Sequence, residues 1–145
     1  MIRAVLDTNI IVSGLAFPGR SQERILRRAT EFDFEIVVSD HLFDELANTL
    51  AKEFFATLLQ NNPPSDLYDA LMRAPRIRIE HDVTGVATHF EDDLVLAAAV
   101  SGKADYLVTG DKQLLKLGSY EGMLIVDSGA FLDILDRDIA QRIDR

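Results

Sequence analysis

The chain alternates between short apolar runs and longer stretches in which apolar residues recur every three or four positions. The short runs are rich in Val, Ile and Leu, as is typical of strands covered on both faces of a sheet. They predict strands at residues 2–6, 34–38, 76–80, 105–109 and 123–127. Strands that alternate with helices are typical of βαβ units. We therefore expect an α/β fold: a three-layer sandwich with a central parallel sheet of about five strands flanked by helices.

The periodic stretches between these strands predict six helices. They cover residues 21–32, 40–59, 65–74, 91–102, 111–117 and 128–137. The helix at 91–102 is apolar nearly all round, so we expect it to be buried, and Gly102 marks its end. The pattern predicts one domain over residues 1–136. The remaining residues, 137–145, carry alternating charges and are expected to form a solvated, charged helical tail at the C-terminus.

Composition narrows the classes of protein. The 145 residues are 48% hydrophobic and 27% charged, which is ordinary for a globular domain. The absence of cysteine excludes disulfides, thiolate metal sites and cysteine-based catalysis. The sequence shows neither a membrane-spanning run nor a signal-peptide pattern, so a cytoplasmic protein with no membrane partner is expected. The net charge of −9 argues against a broadly basic nucleic-acid surface but is compatible with a local basic face.

Acidic side chains stand where predicted strands end. Asp7 directly follows the first strand, and Asp111 comes just after the fourth. Asp92 and Asp93 open the buried helix. Parallel strands place their carboxyl ends at one edge of the sheet, where functional groups gather. Carboxylates gathered in a crevice repel one another unless a cation lies between them, and clustered hard oxygen ligands suit Mg²⁺ or Mn²⁺.

Each of these acids also has a purely structural explanation. Asp7 would suit the N-cap of a short helix, Asp92 and Asp93 the first turn of one, and Asp111 a turn after Gly110. Other catalytic chemistries find less support in the sequence. No glycine-rich phosphate loop or nucleophile elbow is present, and the three histidines lack metal-ligand spacing. Carboxylates acting with a divalent cation remain the best-supported chemistry.

Four segments resemble a PIN domain, the fold of VapC-type toxins and related ribonucleases. They are "VLDTNIIVSGL" (5–15), "VVSDHLFDELANTL" (37–50), "EDDLVLAAAVSGKADYLVTGDKQLLKL" (91–117) and "GMLIVDSGAFLDIL" (122–135). The third segment is the most specific, and the four together span nearly the whole chain. The sequences of these segments are most similar to those of bacterial proteins described as toxin components of toxin–antitoxin systems.

The resemblance implies a set of site residues. The catalytic, metal-binding carboxylates would be Asp7, Glu45, Asp93 and Asp111. Only the resemblance points to Glu45, because the helical pattern places it outside the apolar face. Groups that orient the ligands or water would be Asn9, Thr109 and Asp92, the last also a reserve for the third carboxylate. Basic residues that could grip RNA are Arg20, Arg24 and Lys112.

The resemblance also implies an activity. The protein would be a Mg²⁺- or Mn²⁺-dependent endoribonuclease that hydrolyses RNA phosphodiester bonds by metal-activated water. Its partners would be the RNA substrate, an antitoxin protein and a second copy of itself in a homodimer. Two alternatives stay open, a non-catalytic binding module with the same fold and a Mg²⁺-dependent aspartyl phosphotransfer domain. Against the second, Asp7-Thr8-Asn9 lacks the second Asp of an Asp-x-Asp motif.

Overall fold

The computed structural model describes residues 1–50, 52, 65–79 and 90–143. Within these ranges, helices cover both faces of a central sheet, which confirms the predicted three-layer α/β sandwich. The strands are β1 (Arg3–Leu6), β2 (Glu35–Ser39), β3 (Arg76–Ile77), β4 (Tyr106–Val108), β5 (Ser119–Tyr120) and β6 (Met123–Val126). The helices are α1 (Thr8–Ala16), α2 (Ser21–Thr30), α3 (Asp40–Leu50), α4 (Ser65–Arg73), α5 (Phe90–Ser101), α6 (Lys112–Leu117) and α7 (Ser128–Ile143). The predicted continuation of the third helix to residue 59 lies outside the described residues, apart from residue 52.

The strands are ordered β3-β2-β1-β4-β6-β5, and every neighbouring pair is parallel except β5 with β6. The sequence pattern did not predict β5, because two residues are too few to show a period. It pairs with β6 through the two-residue loop Glu121-Gly122, in which both residues have positive φ, 48° and 84°. Type I′ hairpin turns require this backbone conformation.

Strand β1 lies at the centre of the sheet, between β2 and β4. Leu6 is paired with Val108, so the next residues along the two strands, Asp7 and Thr109, emerge side by side. The backbone N–H of Asp7 continues the ladder by donating to the Val108 carbonyl oxygen at 2.9 Å. The strand order therefore places two of the predicted site residues together at the carboxyl edge.

Helix α5 packs against β1, β2 and β4, and its residues from Val95 to Ala99 are all buried. This confirms the predicted buried helix. A Cβ at Gly102 would lie 2.5 Å from Val37 Cγ1 and 2.7 Å from Ile77 Cδ1, so this glycine is needed for close packing. The residue with the left-handed backbone conformation after the helix is Lys103, with φ of 53°, rather than Gly102.

Helix α7 packs against α2 and buries Phe131, whose ring lies edge-to-face on Phe34 with centroids 5.0 Å apart. The helix continues without interruption past residue 136. Within the predicted tail, Arg142 Nη2 donates to the backbone oxygen of Asp33 at 3.2 Å. The domain boundary at residue 136 stays a prediction. None of the helices in the described ranges is long and apolar enough to cross a membrane.

Candidate active site

Three predicted site residues form a hydrogen-bonded chain at the carboxyl edge of the sheet. Thr109 Oγ1 donates a hydrogen bond to Asp7 Oδ2 at 2.8 Å. Thr109 Oγ1 also accepts a hydrogen bond from the backbone N–H of Asp111 at 3.0 Å. Thr109 is fully buried, while both aspartates are half-buried. One hydroxyl therefore joins two carboxylate residues that are separated by more than a hundred positions in sequence.

The side chain of Asp111 caps a helix, whereas the side chain of Asp7 does not. Asp111 does cap a helix: its Oδ1 accepts from the backbone N–H groups of Gln113 and Leu114 at 2.8 and 3.1 Å. This leaves Oδ2 of Asp111 without a hydrogen bond from the described residues. Asp7 occupies the N-cap position of α1, but its side chain makes no capping hydrogen bond. Its carboxylate is turned toward Thr109 instead.

Burial raises the pKa of the Asp7 carboxyl above its ordinary value, because a charge is poorly solvated there. The hydrogen bond from Thr109 and the nearby backbone N–H groups of Thr8 and Asn9 oppose this rise. The negative charge of Asp111 adds to it. Asp7 is thus a carboxylate whose ionised form is destabilised by its surroundings, and a cation placed between it and Asp111 would reverse that effect.

Thr8, the residue that follows Asp7, is buried. The hydroxyl Oγ1 of Thr8 is buried and finds no hydrogen-bond partner among the described residues. An unpaired buried hydroxyl costs free energy, so a group from outside this part of the chain would be favourable there. Mg²⁺ is commonly held by only one or two carboxylates, with waters and substrate phosphate completing its shell. Asp7 and Asp111 are the two carboxylates here that could hold a divalent cation in that manner.

The remaining predicted carboxylates belong to two other helices, α3 and α5. Asp93 is in the first turn of α5 and is 4% exposed. Glu45 is half-buried on α3, where it lines a cavity of about 420 Å³ together with His41 and Asn48. Asp92 belongs to α5, but its side chain lies outside the described part. Across the described ranges, no three His, Asp or Glu side chains are close enough to form a metal-binding group.

The predicted RNA-binding residues are exposed. Arg20 precedes α2 and holds its guanidinium 4.5 Å from the centre of the Phe17 ring, which fixes a cation on the surface. Arg24 is exposed on α2, and Lys112 is exposed at the first position of α6, next to Asp111. These positions are compatible with contacts to a nucleic-acid backbone, which stay a prediction.

A cleft beside Asp111 contains residues that the sequence pattern did not indicate. Its volume is about 300 Å³, and the lining residues are Asn9, Ile10, Ser13, Gln22, Gly110 and Asp111. Asn9 was predicted, but Ser13 and Gln22 were not. The spacing of Asn9 and Ser13, four residues on one helix, could have suggested a shared face. No local pattern could have indicated Gln22, because it comes from a different helix.

The sequence and the fold were compared with known proteins. A sequence model of the PIN domain matches residues 3–113. No curated protein matches the sequence. Among solved structures, the chain is similar to one chain of the crystal structure of VapBC2 from Rickettsia felis bound to a DNA fragment from their promoter. The TM-score is 0.60 at 18% sequence identity, over 87% of this chain and 98% of that chain. Because the family match spans most of the sequence, as the motifs predict, the chain belongs to the PIN domain family.

Proposed function

We propose that this PIN domain is a Mg²⁺- or Mn²⁺-dependent endoribonuclease and the toxin of a toxin–antitoxin pair. The observation that carries the proposal is the link from Asp7 through Thr109 to Asp111 at the carboxyl edge. A folded protein gains nothing from two neighbouring carboxylates that repel each other, one of them with a raised pKa. A site built to receive a cation accounts for this arrangement.

The chain's own groups have distinct tasks in this proposal. Thr109 holds the Asp7 carboxylate by donating to Oδ2 and holds the Asp111 backbone by accepting from its N–H. Asp111 is oriented by its bonds to the start of α6, which leave Oδ2 available. Bound between these carboxylates, a divalent cation would acidify water and stabilise charge developing on the phosphate. No side-chain nucleophile is needed.

Asp93 and Glu45 complete the proposed set. Asp93 is almost fully buried in the first turn of α5, where the helix dipole favours a negative charge. We propose it as the third carboxylate of the site. Glu45 lines the cavity beside α3 and would bind the metal directly or through water. Asn9 on α1 and the Asp92 position would support the orientation of ligands or water.

Partners follow from the same proposal. An RNA strand would lie along the carboxyl edge, with Arg20, Arg24 and Lys112 near its phosphates. An antitoxin protein would bind the chain and inhibit its activity. A homodimer is proposed as the active form. The similar fold of a chain in a complex named VapBC2 supports the choice of such a partner.

The test is cleavage of a mixed set of structured and single-stranded RNAs by purified protein in Mg²⁺, Mn²⁺ or EDTA. Asp93→Asn, prepared identically, should remain folded and lose cleavage, because it removes one ligand charge. Asp133→Asn is the matched control: it makes the same chemical change at an exposed position of α7 and should cleave like wild type. Metal-independent cleavage, or full activity in Asp93→Asn, would refute the proposal. Binding of RNA without cleavage would favour a non-catalytic module.

A further inference from the structure

Gly110 lies between the two members of the Thr109–Asp111 link, and the fold itself does not need a glycine there. A Cβ built on Gly110 would meet no atom within 4 Å, and the φ of this residue lies outside the left-handed region. Gly14 shows the contrast, because a Cβ there would lie 2.6 Å from Leu26 Cδ1. The missing side chain at position 110 leaves open space rather than making room for protein.

Gly110 is also one of the residues that line the cleft of about 300 Å³ beside Asp111. The polar side chains that line it from the helices are Asn9, Ser13 and Gln22. Within the described ranges, none of these three side chains makes a hydrogen bond. Amide and hydroxyl groups offer both donors and acceptors, so the cleft can bond a ligand that presents both. Ile10 adds an apolar wall.

The lining excludes a phosphate group as the occupant. It contains no Lys, Arg or His that could pair with an anion, and its only charged member is the Asp111 carboxylate. A nucleobase with its ribose has the required mixture of an apolar face and polar edges, and proteins read unstacked RNA bases by hydrogen bonds to those edges. The volume lies at the lower end of the range of ligand pockets, roughly 300 to 1,000 Å³, which suits one nucleotide rather than a duplex.

We infer that this cleft is a nucleotide subsite that receives the base and ribose next to the cleaved phosphodiester, with Ser13 and Gln22 reading the base. The inference rests on the proposed ribonuclease function and adds a source of sequence preference to it. Gly110 lets the strand pass close to the backbone between Thr109 and Asp111. The phosphate then lies outside the cleft, toward the carboxylate pair.

The first experiment maps cleavage of a random-sequence RNA pool by sequencing the new 5′ ends. Gln22→Ala and Ser13→Ala should each lower the preference for one nucleotide, at one position flanking the cut, by about three- to tenfold, the value of one hydrogen bond. Gln141→Ala, at an exposed position of α7, is the matched control and should keep the wild-type preference. An unchanged preference in both cleft variants would overturn the inference.

A second experiment tests the open space at Gly110 and does not depend on cleavage. Binding of labelled single-stranded oligoribonucleotides is measured by fluorescence anisotropy with Ca²⁺ present. Gly110→Val should weaken binding at least about tenfold and Gly110→Ala less, while the thermal midpoint of both variants stays at the wild-type value or rises. Equal binding by wild type and Gly110→Val would overturn the inference.

The two experiments separate this inference from the proposed function. Cleavage with unchanged preference and unchanged Gly110→Val binding would keep the nuclease and overturn the subsite. Oligonucleotide binding that Gly110→Val weakens, without cleavage by wild type, would keep the subsite and refute the nuclease. If wild type neither binds nor cleaves RNA, both are overturned.

Discussion

Replacing Thr109 by valine tests the link between the two halves of the proposed site. Valine has nearly the same shape as threonine but lacks the hydroxyl, so packing at this fully buried position is retained. Two hydrogen bonds disappear, the one to Asp7 Oδ2 and the one from the Asp111 N–H. Any effect on stability can therefore be assigned to these bonds rather than to a cavity.

The magnitude follows from the two partners. A hydrogen bond to a charged carboxylate contributes about 1.5 to 3 kcal/mol, and a part-buried N–H left without a partner costs about 1 to 3 kcal/mol. The second apolar methyl of valine recovers about 1 kcal/mol. We expect Thr109→Val to lower the free energy of unfolding by about 1.5 to 5 kcal/mol at pH 7. For a chain of this size the thermal midpoint should fall by roughly 5 to 15 °C.

The assay is chemical denaturation followed by circular dichroism in EDTA, with Thr109→Ser as the control. Serine keeps the hydroxyl and loses one methyl group, at a cost of about 1 kcal/mol. A double-mutant cycle with Asp7→Asn should show coupling between the two positions, because the two side chains are bonded directly. Thr109→Val as stable as Thr109→Ser would refute the reasoning, since the hydroxyl would then contribute nothing.

Three further substitutions should change stability in known directions. Burial raises the pKa of Asp7, so its ionised form opposes folding, and Asp7→Asn should stabilise the metal-free protein at pH 7. Gly14→Ala should destabilise it by about 1 to 3 kcal/mol, because the added Cβ would lie 2.6 Å from Leu26 Cδ1 and 3.0 Å from the Gln22 carbonyl oxygen. Phe32→Gly should stabilise it by about 1 kcal/mol, because Phe32 is 66% exposed and has a φ of 60°.

The same denaturation assay checks all three. Below the pKa of about 3.9 of an unperturbed aspartate, Asp7 is neutral in both states, so the gain from Asp7→Asn should vanish there. A gain that grows toward low pH would contradict the sign of the shift. Gly110→Ala, with open space around its Cβ, is the control for Gly14→Ala and should not be destabilising. A destabilised Phe32→Gly would mean that contacts of the ring outweigh its backbone strain.

Local pattern was sufficient to predict most of the fold. Apolar runs and helical spacing reflect which side chains must leave water, and this requirement acts on each segment before the segments meet. The prediction of α5 as a buried helix shows this, because its residues from Val95 to Ala99 are all apolar and are all buried in the structure. Short elements carry too few residues for such a signal, so β5 and the true extent of β3 appeared only in the structure.

Local pattern could not predict which residues of the site lie next to one another. The sequence indicated that Asp7 and Asp111 follow strands and could meet at one edge. It could not indicate that the Asp111 side chain also caps α6 or that the Asp7 side chain makes no capping hydrogen bond. Both outcomes depend on competition among nearby donors, and the Thr109 hydroxyl is available to Asp7 only because their strands are neighbours.

By itself, then, the sequence determined most of the longer elements, the buried helix and the family, because each depends on residues that lie close together in the chain. Tertiary structure decided the order β2-β1-β4, and with it the meeting of Asp7 with Thr109. It also assembled a cleft from two helices and a loop, with Gln22 facing the residues beside Asp111. Such contacts form when segments distant in sequence pack together and hydrogen-bond one another's polar groups. The hydrophobic period within one segment does not predict which other segments it will contact.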